Sequence, residues 1–189
     1  LAPIQVVLVP IYYSDDERQG VLQKAEELAT ELRQDFRIKV DDRENYKPGW
    51  KFNEWEMKGV PLRIELGPRD LAANHVMIAR RDKGPKEKQT VGMDGLKKTV
   101  GSLLEQIQQS MFQAALKFRE DNSHTVDTYD EFKTMLEEQG GFLYAHWCGS
   151  DDCEQAVQDD TKATIRCIPF DQPAEQGSCI YCGKPSDMR

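Results

Sequence analysis

Between Gly49 and Asp70 the sequence reads Gly-Trp-Lys-Phe-Asn-Glu-Trp-Glu-Met-Lys-Gly-Val-Pro-Leu-Arg-Ile-Glu-Leu-Gly-Pro-Arg-Asp, with aromatics, bases and carboxylates set around a turn and a short strand. That mixture suits the reading of nucleotide bases. Guanine presents two donors on its Watson–Crick edge and acceptors at O6 and N7, so a pocket for it needs a carboxylate on one side and Arg or Lys on the other. The segment supplies both, and its aromatics supply faces for stacking. A second group of reactive side chains lies further on, where Cys148 and Cys153 form one pair and the knuckle Cys179-Ile-Tyr-Cys182-Gly183 another. Four thiolates in two pairs suit tetrahedral zinc, and with every position taken the ion would be structural. Gly183 permits the tight turn that aims backbone N–H groups at sulfur. A cluster of ordinary reduced thiols is the alternative, and His146 is a candidate to replace one sulfur, though a His at a strand end is more often only structural. Cys167, between Arg166 and Ile168-Pro169, reads as a buried small hydrophobe. Redox chemistry is disfavoured, because Gly183-Lys184-Pro185 cannot lead straight into the helix that would depress a thiol pKa.

These groups need elements to hold them. Ile4 to Val9 is a nearly continuous apolar run and predicts a buried strand. Ser14 then caps a helix reaching to about Gln34, with Asp15, Asp16 and Glu17 at its positive end and an apolar stripe of Val21, Ala25, Leu28 and Leu32. Arg37 to Asp41 alternates as a second strand, giving a β-α-β start with a parallel pair. Phe52 to Lys58 forms a short helix stopped by Gly59 and Pro61, in which Phe52 and Glu56 share a face. In the next strand Leu62, Ile64 and Leu66 face the core while Arg63 and Glu65 face away. Gly67-Pro68 ends it and projects Arg69 from a turn. Val76 to Ala79 and Lys88 to Val91 form a hairpin around Lys83-Gly84-Pro85, and Leu96, Val100, Leu103, Leu104, Ile107, Met111, Ala115 and Phe118 mark a long amphipathic helix. The expected fold is α/β, a five-stranded mixed sheet with flanking helices over residues 1–118. A small α/β zinc-stapled domain is expected over 119–189, joined by Arg119 to His124 as a linker.

The chain has 189 residues and a formal net charge of -8, which argues against sequence-blind coating of a nucleic-acid backbone. The charge is uneven. Residues 1–46 carry 6 bases and 10 acids, residues 47–98 carry 12 and 7, and residues 99–189 carry 7 and 16, giving -4, +5 and -9. A basic middle between acidic flanks suggests one local nucleic-acid contact, the alternative being a solvated hairpin tip at Arg80 to Lys88. No apolar run is long enough to span a bilayer and Leu1-Ala2-Pro3-Ile4 does not read as a signal peptide, so the expected location is cytoplasmic and no membrane partner is expected. The sequence opens on Leu and enters a strand almost at once, as the tail of a longer polypeptide would.

The run at 49–70, followed by Arg80-Arg81, by Cys148-x4-Cys153, and by Ile168-Pro169-Phe170 ahead of Cys179-x2-Cys182, closely resembles the prolyl-tRNA synthetases of the eukaryote and archaeal type. The resemblance covers essentially the whole chain. It implies an anticodon-binding domain of class IIa followed by a zinc-containing C-terminal domain. It further implies recognition of the two guanines of the proline anticodon by Phe52, Glu56, Arg63 and Arg69. Glu56 would accept from N1–H and N2–H of guanine, Arg63 and Arg69 would donate to O6, N7 or phosphate, and Phe52 would stack. Some members carry Lys where Arg69 stands, and members continue beyond the second cysteine pair to an aromatic-rich end, for which this sequence offers no counterpart after Arg189. The parent enzyme would ligate proline to tRNA(Pro) with ATP and Mg²⁺, as a homodimer through a catalytic domain outside this chain. The residues themselves leave other roles open: Trp50, Phe52 and Trp55 as core, Glu56 as a partner of Lys51 or Lys58, and Arg63 in a cross-strand salt bridge. A zinc-stabilised protein-interaction module is the competing reading of the whole, and a thiol oxidoreductase a third.

Overall fold

A computed structural model describes residues 2–84 and 87–189. Leu1, and Pro85 and Lys86 of the expected hairpin tip, lie outside the described residues. The chain divides into two compact units, Leu1–Gln113 and Ala114–Arg189.

The first unit is the α/β fold anticipated above. β1 (Val6–Pro10), α1 (Asp15–Leu32), β2 (Ile38–Val40), α2 (Pro48–Met57), β3 (Leu62–Leu66), α3 (Pro68–Ala72), β4 (His75–Arg80) and β5 (Lys88–Gly92) follow in order, and then α4 (Leu96–Asp121), whose residues up to Gln113 belong to this unit. The sheet runs β2-β1-β3-β4-β5, with β1 parallel to β2 and β3, and β4 antiparallel to both β3 and β5. Each face of β1 is covered, which is why its sequence is apolar throughout. Val6 and Leu8 join Val21, Ala25 and Leu28 of α1, Leu62, Ile64 and Leu66 of β3, and Val100 and Leu103 of α4 in the main core. On the opposite face Val7 and Val9 pack with Trp55 of α2 and Val60, with Phe52 at the margin.

Local chemistry sets the boundaries. Ser14 caps α1 by accepting from the Glu17 N–H at 3.3 Å. α2 starts earlier than the apolar pattern predicted, because Pro48 is pre-set for a first helical turn. It ends before Gly59, whose φ of 76° suits a residue without a Cβ. Gly67-Pro68 does not make a simple turn. Pro68 opens the one-turn helix α3, and Asp70 accepts from the Gly67 N–H at 2.8 Å, so Arg69 stands on a helix.

In the second unit β6 (Ser123–Thr125) and β7 (Phe142–Tyr144) pair in parallel around α5 (Tyr129–Glu138). α6 (Asp151–Thr161) and the β8 (Gly177–Ser178) to β9 (Pro185–Ser186) hairpin complete it. A capping box starts α5, Thr128 Oγ1 accepting from the Glu131 N–H and Glu131 accepting from the Thr128 N–H. The polar stretch Arg119 to His124 is not a linker: α4 continues to Asp121 and β6 begins at Ser123. Its polar groups close the helix, the Asn122 amide donating to the Phe118 carbonyl and Ser123 Oγ to that of Arg119, both at 2.7 Å.

Candidate nucleic-acid interface and metal centre

α2 lies across the second face of the sheet with Lys51 and Trp55 inward. At about 100° per residue, Phe52 and Glu56 fall on its flank towards β3, where Arg63 rises from the strand. These three side chains meet. Arg63 Nη1 donates to Glu56 Oε1 at 2.6 Å, and the guanidinium carbon stands 4.1 Å from the centre of the Phe52 ring. Glu56 pairs with neither Lys51 nor Lys58, which are held by Asp41 and Glu54.

Arg63 and Glu65 do face away from the main core, but they are not solvated, being 6 % exposed each. Their face is the one α2 and the outer strands cover, and the charges survive burial because they neutralise one another. Arg63 Nε donates to Glu65 Oε1 at 3.0 Å, and Lys88 Nζ donates to Glu65 Oε2 at 2.8 Å while lying 5.2 Å from the Phe52 ring centre. Glu56, Arg63, Glu65 and Lys88 thus form a chain of alternating sign beneath one aromatic ring. An Arg–Glu pair of this kind sets a donor beside an acceptor, the complement of the O6 and N1–H edge of guanine. Arg81 adds a donor at the rim, its Nε reaching the Glu56 carbonyl at 3.1 Å. Arg69, exposed on α3, shares no hydrogen bond with this group among the described residues.

Glu65 and Lys88 escaped the sequence-based expectation for a topological reason. The alternation of Arg63 with Glu65 puts them on one face, but Lys88 joins only through the register Arg63 to Ala79 and Ala79 to Lys88 across three strands. The aromatics divide as well. Trp55 is core at 6 % exposure, whereas Trp50 is 46 % exposed, on the other flank of α2.

The four cysteines Cys148, Cys153, Cys179 and Cys182 converge, their sulfurs all within 4.8 Å of one another, and could hold a metal ion. Cys148 Sγ lies 3.7 Å from Cys153 Sγ and 3.6 Å from Cys182 Sγ. A disulfide needs about 2.05 Å, while four sulfurs set tetrahedrally at about 2.3 Å from zinc would be about 3.8 Å apart. The spacing therefore fits a four-sulfur metal site. Gly183, at φ 72°, makes the turn that brings N–H groups over the second pair. Burial works against the Cys179 thiolate, yet the N–H groups of Cys182, Tyr181 and Cys148 bring this thiol down to about 7. Hydrogen bonding with Cys182, then burial, pushes Cys153 up to about 12.

His146 does not replace a sulfur. Its Nδ1 lies 3.2 Å from both Ser186 Oγ and the Met188 carbonyl, apart from the four thiols. Cys167 is exposed rather than buried. It lies in the stretch between α6 and β8, which has no regular structure and so no period with which to turn its apolar residues inward.

Fold and site together define a class. Residues 5–103, over half of the sequence, match the family described as anticodon binding domain, and the chain belongs to that family. Residues 129–189 match the family described as prolyl-tRNA synthetase, C-terminal. The proline–tRNA ligase of Roseiflexus sp. (strain RS-1) is 49 % identical over 190 residues, covering 100 % of this chain and 39 % of that protein. The ligase of the same name from Chloroflexus aurantiacus (strain ATCC 29366 / DSM 635 / J-10-fl) is 48 % identical with the same coverage. That of Porphyromonas gingivalis (strain ATCC 33277) is 47 % identical, over 100 % and 38 %. The chain spans 39 % of the length of the first of these relatives, and all three are bacterial.

Proposed function

We propose that this chain is the tRNA-recognition portion of a prolyl-tRNA synthetase and reads the two guanines of the proline anticodon. The observation that carries this is the Glu56–Arg63 pair at 2.6 Å against the Phe52 ring. This supports the reading because one base needs a carboxylate, a fork of donors and a stacking face together. Adenine offers a lone pair at N1 where guanine offers a donor, so Glu56 attracts one and repels the other. Arg69, standing apart, serves the second guanine or a phosphate.

The thiol cluster holds one structural Zn²⁺, which when bound ties the start of α6 to the β8–β9 hairpin. The full-length enzyme is cytoplasmic, activates proline with ATP and Mg²⁺, transfers it to tRNA(Pro), and dimerises through its catalytic domain. It is of the eukaryote and archaeal type, a type defined by the zinc-containing C-terminal domain and so compatible with bacterial relatives.

Binding of anticodon stem-loops tests the central claim. Changing both guanines to adenine should weaken binding by about 1–3 kcal/mol for each good bidentate pair that the change breaks. Glu56→Gln should narrow the guanine-to-adenine ratio more than it lowers overall affinity. Undiminished binding of the adenine loop would sink the base-reading claim and leave a protein-interaction module in its place.

A further inference from the structure

Trp50 and Tyr46 have no role in the guanine site, yet they form a stacked aromatic pair on the first unit's surface. Their rings stack with centroids 3.9 Å apart and planes 13° apart, and Tyr46 is 41 % and Trp50 46 % exposed. Beside them the Arg43 guanidinium lies 4.9 Å from the Tyr46 ring centre and 5.5 Å from that of Trp50. Arg43 is itself fixed. Nε and Nη2 donate to the two Asp41 oxygens at 2.7 Å each, and Nη2 donates also to Glu54. Asp41 is 1 % exposed and accepts from Trp55 Nε1 at 2.7 Å, so the stack is anchored to the core through a buried carboxylate.

We infer that the Tyr46–Trp50 stack is a second base-binding surface, taking an unpaired nucleotide of the same RNA loop outside the two guanines. This inference rests on the guanine reading proposed above. Trp50 and Phe52 are two positions apart on α2 and so project to opposite flanks, with Lys51 and Trp55 buried between them. The helix is about 10–12 Å across, a distance that an unstacked RNA strand covers in a few nucleotides. An exposed aromatic face attracts any nucleobase, because every base has a π-face, and it does not read the base edge. The two flanks therefore divide the work: Glu56 and Arg63 select, while Tyr46 and Trp50 hold a neighbouring base of any identity. The fixed Arg43 keeps the platform ordered before RNA arrives, which lowers the entropy cost of binding.

The test uses the intact chain and anticodon stem-loops carrying one abasic nucleotide at each loop position other than the guanines. One abasic position should weaken wild-type binding roughly tenfold, the scale of a stacked base. Trp50→Leu should weaken binding of the intact loop by a similar factor and should no longer respond to that abasic position. Trp50→Phe should restore most of the affinity, and the guanine-to-adenine ratio should be unchanged in both variants. Wild-type affinity in Trp50→Leu, or abasic sensitivity that persists in it, overturns the inference while leaving the guanine site intact. Loss of guanine preference in the wild type overturns both.

Discussion

Arg63 is held from two sides by carboxylates of unequal exposure, and that inequality determines what each can do. The Glu56 side chain is 41 % exposed and the Glu65 side chain 7 %. Glu56 can turn to a ligand, while Glu65 cannot leave Arg63 and Lys88 without stranding them. Glu65→Gln keeps an acceptor but removes the charge that balances two cations. RNA backbone affinity should hold or rise slightly with the added positive charge, while the guanine-to-adenine ratio should fall as the Arg63 fork loosens. Losing one partner of a buried charged network should also lower stability by about 1–3 kcal/mol. Filter binding to paired guanine and adenine loops, beside urea unfolding, separates the two effects. A proportional loss of binding to both loops would mark Glu65 as structural only.

At the scale of elements, the β2–α2 connection is organised around Asp41. Burial alone would raise its carboxyl, but hydrogen bonds from Arg43 and Trp55 and the Lys51 charge outweigh this and hold it down at about 2. The folded value lies below the unfolded one, so the ionised group stabilises the fold fully above about pH 5, and that contribution fades as pH falls from about 4 to 2. Asp41→Asn should therefore be less stable than wild type by about 2–3 kcal/mol near pH 7, with the gap closing in acid. Urea unfolding followed by tryptophan fluorescence across pH checks this; a gap independent of pH would contradict it. The elements on either side were legible in the sequence because their signals are contiguous: the Ser14 cap, the apolar stripe of α1, and the β-branched run of β1. The pairing of Phe52 with Glu56 was legible for the same reason, since helical spacing fixes it. What the sequence does not carry is the cover over the second face. Alternation showed that Arg63 and Glu65 point away from Leu62 and Ile64, but not that α2 and Lys88 close over them. Nor could composition separate Trp50 from Trp55, which differ only in their angle around α2.

For the whole molecule, the two units rest on different sources of stability. The first buries strands and helices around a large apolar core, whereas among the described residues of the second the buried apolar side chains are Val126, Phe132, Cys153 and Cys179. Two of these four are in the thiol cluster, so in a unit this small an ion held by those thiols would substitute for the missing core. Metal analysis of freshly purified reduced protein should give one zinc per chain. Stripping it with a strong chelator, or replacing Cys182 with Ser, should abolish or markedly lower one thermal transition by calorimetry and leave the other in place. Because Glu56, Arg63 and Phe52 all lie in the first unit, the stripped protein should still prefer guanine to adenine loops. Absence of zinc would remove the structural-metal proposal. Zinc in the purified protein, together with collapse of guanine preference once it is stripped, would show instead that the second unit takes part in reading the RNA. That outcome would run against the charge of the chain, since the basic excess of +5 lies in residues 47–98 and the C-terminal 99–189 carry -9.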